Sequence, residues 1–229
     1  MNEPRLIAVI AAALEPSGLV PRGWLAPEPE VAPLLADGRP AAGICLIGNA
    51  GGGFWSAFHA WWQAHSESGH PLDDWSKDAI NPVAASLGAE AVYPSDKPWQ
   101  PFQQWAMLAE GLRASPLGLL IHPVFGLWHG YRAAILFGEA DLVKTPEPRS
   151  IITSYPCDAC TAKPCLSACP VGAFGADGFD VTVCRAHLAT DAGQKGCVVS
   201  GCLARDACPV GRDYRYEAAQ IRFHMAAFL

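Results

Sequence analysis

Cys157-Asp-Ala-Cys160-Thr-Ala-Lys-Pro-Cys165-Leu-Ser-Ala-Cys169-Pro170, then Cys184, then Cys197-x4-Cys202-x5-Cys208-Pro209 hold eight of the chain's nine cysteines within 52 residues. Eight thiols make two complete sets of four. A [4Fe-4S] cube takes one thiolate per iron, and a Cys-x2-Cys pair in a tight loop lets two sulfurs reach adjacent irons of one cube. The spacing therefore predicts two such clusters.

The motif is used twice. Cys165-Leu-Ser-Ala-Cys169-Pro170-Val171-Gly172 is echoed by Cys202-Leu-Ala-Arg-Asp-Ala-Cys208-Pro209-Val210-Gly211. In bacterial two-cluster runs the fourth cysteine, the one followed by Pro, ligates the other cluster, so the two halves cross over. This assigns Cys157, Cys160, Cys165 and Cys208 to a first cluster, and Cys169, Cys184, Cys197 and Cys202 to a second. The spacing departs from the ferredoxin pattern, which has two residues between its second and third cysteines where this chain has Thr161-Ala-Lys-Pro164. The second run is looser still. Two other readings use the same residues: all-thiolate zinc sites, which favour separated Cys-x2-Cys knuckles of which only one is present, and disulfides, which suit a small secreted scaffold. The ninth cysteine, Cys45, lies in the apolar run Gly43 to Ile47 and reads as a packed strand residue.

A chain of 229 residues with 51% hydrophobic and 17% charged residues buries a real core, as one large domain or two modest ones. The net charge of -6 comes wholly from the front, because residues 1 to 156 hold nine Lys/Arg against fifteen Asp/Glu and residues 157 to 229 hold seven of each. No nucleic-acid surface is expected. The apolar run Leu6 to Leu14 is too short to cross a membrane and has Glu3 where a signal peptide would be basic, so it reads as a buried first helix. Free thiolates point to the cytoplasm.

All eight tryptophans fall between Trp24 and Trp128, before the cysteine-rich stretch. That shift predicts a front module over residues 1–140, a linker over 141–156 and a cluster module over 157–229 with a C-terminal helix. By composition the connection runs from Glu139 to Pro156, and its Thr145-Pro-Glu-Pro-Arg149 reads as extended. In front, Val20 to Leu25 reads as extended and Ala42 to Ile47 as a buried strand ended by Gly48-Asn-Ala-Gly-Gly-Gly53. Phe54, Trp55, Phe58, Trp61 and Trp62 recur at helical spacing. Pro71 opens a further helix closed by Gly88, and Phe102 to Arg113 is another. Leu117 to Ile121 and Tyr131 to Phe137 read as strands flanking a turn at Pro123-Val-Phe-Gly126. Mixed strands and helices make an α/β or α+β fold. The glycine run could cradle a phosphate at a helix N-terminus, yet it has no Gly-Lys-Ser/Thr and reads as a plain turn.

The block Ser115-Pro-Leu-Gly-Leu-Leu-Ile-His122-Pro123-Val-Phe125-Gly126-Leu-Trp128-His-Gly-Tyr-Arg132 resembles the Ile-His-Pro-x-Phe-Gly-x-Trp-x3-Arg segment of the cobalamin-processing MMACHC (CblC) family. The order of elements from Gly43 onward is similar too. The cysteine stretch resembles the two-[4Fe-4S], ferredoxin-like domain of epoxyqueuosine reductase and of reductive dehalogenases, with Cys184 matching the lone cysteine between its two runs. The two resemblances cover about 180 residues. They imply a nitroreductase-like fold that holds cobalamin base-off, followed by an electron-transfer domain. Human-type MMACHC lacks the clusters, and epoxyqueuosine reductases carry a further C-terminal region for tRNA, so an RNA substrate is disfavoured.

The resemblance implies a corrinoid site at His122, Phe125, Gly126, Trp128 and Arg132. Arg132 matches an arginine that helps bind glutathione in the family, and is the candidate catalytic residue. His122, beside Pro123, reads more readily as a structural hydrogen bonder than as a cobalt ligand. The tryptophans read as core, their number hinting at a flat apolar pocket. The expected activity is one-electron reduction of bound cobalamin with loss of its upper ligand, by decyanation or dealkylation. An external donor is implied, a ferredoxin, a flavodoxin or a flavin reductase, and a flavin is not excluded. The other readings are an electron carrier docking a partner enzyme and a corrinoid-dependent reductase of an organic halide or modified base.

Overall fold

The computed structural model describes residues 3–138, 155–176 and 178–229. The described residues divide into two compact units, one drawn from 1–111 and 130–151, the other from 112–129 and 152–229. Residues 112–129, expected in the front module, belong to the second unit. The expected linker falls almost wholly outside the described residues.

The first unit starts with α1 (Glu3–Leu14), whose Leu6, Ile10 and Leu14 recur every four residues and are all buried, as a helix with one apolar stripe requires. Its sheet has the order β1-β2-β6-β3, from β1 (Val20–Leu25), β2 (Gly43–Ala50), β6 (His129–Phe137) and β3 (Glu90–Val92). β1 pairs antiparallel with β2, with an irregularity between Pro21 and Gly23. β3 is antiparallel to β6. β2 is buried from Gly43 to Asn49, including Cys45, because the interior strand is covered on both faces. It therefore runs three residues past the expected end at Ile47.

The glycine run beyond β2 is a turn into α2 (Trp55–Ala64). Phe54, Trp55 and Phe58 are buried, and Phe58 contacts Trp62 and, at 5.7 Å, Trp75 of α3 (Pro71–Ser86). This aromatic face is helix-to-helix core. α4 (Phe102–Glu110) stops at Gly111, whose left-handed backbone (φ 69°) places its amide on the Met107 carbonyl. The helix expected to reach Arg113 ends there, since an αL residue halts the α-helical ladder.

In the second unit, β4 (Arg113–Ala114) pairs with β5 (Leu120–Ile121). The strands expected at Leu117 to Ile121 and Tyr131 to Phe137 thus do not form a hairpin with each other: β5 takes β4, and β6 joins the other sheet. After the undescribed segment come α5 (Pro156–Ala159), α6 (Pro164–Ser167), a β7–β8 hairpin (Phe174–Gly175, Gly178–Phe179), α7 (Val181–Leu188), α8 (Asp191–Lys195), α9 (Cys197–Ser200), α10 (Leu203–Asp206) and α11 (Ala218–Ala226). Asp180 caps α7 through the Val183 amide, and Thr190 caps α8 through that of Gly193. One core gathers Leu117, Ile121 and Leu127 with Cys165 and Cys208, and a second gathers Trp128, Tyr216, Ile221 and Met225 with Cys197.

Candidate metal and cofactor site

The eight clustered cysteines lie in the short helices and loops of the second unit, and none forms a disulfide. Cys157, Cys160, Cys165 and Cys208 all line one small cavity of about 20 Å³, walled also by Pro164 and Pro209. Burial pushes the Cys165 thiol up from its ordinary range, and the neighbouring Cys208, Cys157 and Cys160 push it further. Burial also raises Cys208, a backbone amide at Val210 opposes it, and Cys157 and Cys160 add to the rise. Cys184 is raised by burial and then by Cys202, Cys169 and Cys197. Cys197 is raised by burial, opposed by the Leu203 amide, and raised again by Cys202 and Cys169. In each of these four cases the neighbours belong to the same set of four, and Cys208 falls with the cysteines that precede it by more than forty residues. Among the described residues no three His, Cys, Asp or Glu side chains converge on a point suited to one metal ion.

The turn at His122–Gly126 braces this arrangement. His122 and Gly126 exchange backbone hydrogen bonds, and His122 Nδ1 accepts from the Val124 and Phe125 amides at 3.0 and 3.1 Å. The ring stacks on Phe125 at 4.1 Å. His122 is thus a structural acceptor at Nδ1. Gly126 (φ 58°) lies so close to the other loop that a Cβ there would stand 2.0 Å from the Val210 carbonyl oxygen, and one on Gly211 (φ 72°) would stand 2.3 Å from that of Phe125. Only glycine fits at either point. The Phe-Gly turn and the Cys208-Pro209-Val210-Gly211 loop are interlocked backbone to backbone.

Trp128 is only 3% exposed. Its ring meets Tyr216 edge-on at 5.3 Å, and the Arg205 guanidinium lies 4.2 Å from the Trp128 centroid and 4.8 Å from that of Tyr216. Arg205 Nη2 donates to the Leu127 carbonyl at 2.6 Å. A cavity of about 220 Å³ opens beside the second set, lined by Cys184, Cys202, Arg205, Trp128, Tyr216 and Phe174 among others. Of the five residues expected at one corrinoid site, His122, Phe125, Gly126 and Trp128 lie in the second unit and Arg132 lies on β6 in the first.

The first unit has its own buried polar group. Arg22, placed by the irregular β1 pairing, donates to the Asn49 carbonyl and to Glu110 at 3.1 Å, with side-chain exposures of 2% and 9%. The Tyr131 hydroxyl donates to the same carboxylate at 2.5 Å, and burial together with the Glu110 charge pushes that phenol above its ordinary range.

Among solved structures, the chain is similar to the C. elegans B12-trafficking protein CblC, a human MMACHC homologue, with a TM-score of 0.54 at 16% identity, over 97% of this chain and 91% of that one. The fold is CblC-like. Neither any protein-family model nor any curated protein matches the sequence. The CblC likeness runs through both units, so the cysteine sets are built within that fold's length.

Sequence reasoning missed Arg205 and Tyr216. The signal for Arg205 was present, because the second motif is two residues longer than the first, and Arg205-Asp206 stands in that extra length. Tyr216 carried no signal beyond being aromatic.

Proposed function

We propose that this chain is an iron–sulfur oxidoreductase that binds cobalamin base-off and reduces it, with loss of the upper ligand by decyanation or dealkylation. One observation carries the reading: eight free thiols gathered as two sets of four in a CblC-like fold. The donor set fits two [4Fe-4S] clusters, Cys157, Cys160, Cys165 and Cys208 holding one and Cys169, Cys184, Cys197 and Cys202 the other. Each set supplies the four thiolates that one cube takes, one per iron. When bound, such clusters supply one electron at a time.

The protein's own residues bury Cys165, Cys197 and Cys208 and partly bury the other five thiols, hold Cys208 against the first set through the Gly126–Gly211 interlock, and flank the second set with Trp128 and Tyr216. The substrate step balances simply. Cyanide leaves with both bonding electrons, and one electron from an external ferredoxin, flavodoxin or flavin reductase takes cobalt(III) to cobalt(II). Arg132 is assigned to an anionic group of the corrinoid, and the chain acts in the cytoplasm. A second reading, an electron carrier docking a partner enzyme, draws on the burial of Trp128, 3% exposed and packed on Tyr216 and Arg205, which leaves little of its ring to meet a corrinoid.

Anaerobic protein loaded with iron and sulfide separates the two. Titration with cob(II)alamin should turn its visible spectrum from base-on to base-off, and dithionite-reduced protein should convert cyanocobalamin to cob(II)alamin and free cyanide. Unchanged corrinoid spectra, with about eight irons bound per chain, leave the carrier. Zinc bound in place of iron removes both.

A further inference from the structure

The two halves of the doubled motif are unequal, and the longer one carries a half-buried cation. The first half runs Cys165-Leu-Ser-Ala-Cys169, while the second runs Cys202-Leu-Ala-Arg205-Asp206-Ala-Cys208. Asp206 is occupied by an ion pair with Arg215. Arg205 has no carboxylate partner among the described residues; its guanidinium lies against the Trp128 and Tyr216 rings, and Nη2 donates to Leu127. The side chain lines the cavity that Cys184 and Cys202 also line, which sets its charge beside the second set.

We infer that Arg205 is a tuning residue for the group held by Cys169, Cys184, Cys197 and Cys202, setting a cationic charge beside its sulfurs so that this centre is the more easily reduced of the two. The inference rests on the cluster reading above. A guanidinium stays charged at any working pH. Cluster potentials follow net charge, hydrogen bonds to sulfur and solvent exposure, and a cation or donor at the sulfurs favours the state carrying the extra electron. The cations near the first set are Lys163 on its cavity wall and Arg212 toward Cys208, both exposed, where water and salt screen them. Arg205 is half-buried, with its guanidinium against the Trp128 and Tyr216 rings. The other charged group at the second set's aromatic wall is Arg215, 5.7 Å from the Trp128 centroid, and it is neutralised by Asp206.

The test is a redox titration of the anaerobic, iron-loaded full chain followed by EPR, on the native protein, Arg205→Met and Arg205→Lys. The native chain should titrate in two steps. In Arg205→Met the upper midpoint should fall toward the lower one, while the lower stays in place as an internal reference. Arg205→Lys, which keeps the charge, should leave the upper midpoint near its native value. A single unresolved step in the native protein, an upper midpoint that Arg205→Met leaves in place, or a shift confined to the lower step overturns the inference while the eight-iron content keeps the cluster reading standing. Loss of iron from native protein takes the cluster reading away, and this inference with it.

Discussion

Replacing Gly211 by Ala tests the interlock against a matched control inside the same chain. Gly172 and Gly211 occupy equivalent places in the doubled Cys-Pro-Val-Gly motif, and both have left-handed backbones, with φ of 63° and 72°. An alanine at either pays about 1–2 kcal/mol for that conformation. They differ in what a Cβ meets. At Gly172 there is nothing within 4 Å, whereas at Gly211 the Phe125 carbonyl carbon and oxygen stand at 2.3 Å and the Gly126 nitrogen at 2.5 Å. Those atoms are backbone and cannot rotate away, so two loops must part by about 1 Å, an overpacking of about 1–3 kcal/mol. Gly172→Ala should therefore cost about 1–2 kcal/mol and Gly211→Ala about 2–5 kcal/mol. Denaturant unfolding read by tryptophan fluorescence measures both. Cys208 stands three residues before Gly211, so Gly211→Ala should also lower iron uptake at the first set while Gly172→Ala leaves total iron near the native value. Equal destabilisation and equal iron in the two variants would refute the interlock.

Cys208→Ser should remove the EPR signal of one centre and keep the other, because Cys208 shares its cavity with Cys157, Cys160 and Cys165; Cys169→Ser should remove the complementary signal, and loss of the same signal in both variants would contradict the crossover. Glu110→Gln should destabilise the first unit by about 3–5 kcal/mol, since it leaves Arg22 as an uncompensated charge that is 2% exposed. The double change Arg22→Met with Glu110→Leu should recover much of that loss in the same unfolding assay, and a double variant as unstable as the single would show that the charge pair is not the cause.

Much of the fold was legible because periodicity reports burial. Leu6 to Leu14, Val20 to Leu25 and the aromatic run from Phe54 to Trp62 fell into the expected elements. Periodicity does not say what a buried face is buried against. Leu112 continues the apolar stripe of α4 in sequence, yet Gly111 ends the helix and Leu112 begins the second unit. The strand expected over Leu117 to Ile121 forms only at Leu120–Ile121, and the buried residues, Leu117 and Ile121, pack beneath the cysteine loops rather than in the main sheet. For the thiols, spacing and the Cys-Pro endings suggest a partition into two sets of four, which the Cys208→Ser and Cys169→Ser variants test.

The excursion of the chain from 112 to 129 has a physical reason in the shortness of the helices around the thiols. Helices of four residues, such as α5, α6, α9 and α10, complete one turn and have no length over which to build an apolar stripe. A segment of that kind cannot bury enough surface alone, as small cores in general cannot. Leu117, Ile121 and Leu127 supply the missing apolar surface to the first set and Trp128 to the second. The stretch that resembles a cobalamin-family motif therefore serves here as the hydrophobic floor of both cysteine sets. Its Phe-Gly turn fixes one Cys-Pro loop by backbone contact, and its tryptophan fixes Arg205 by its ring face. The same eighteen residues that carry the resemblance thus also meet the thiol loops, at Gly126 and Trp128.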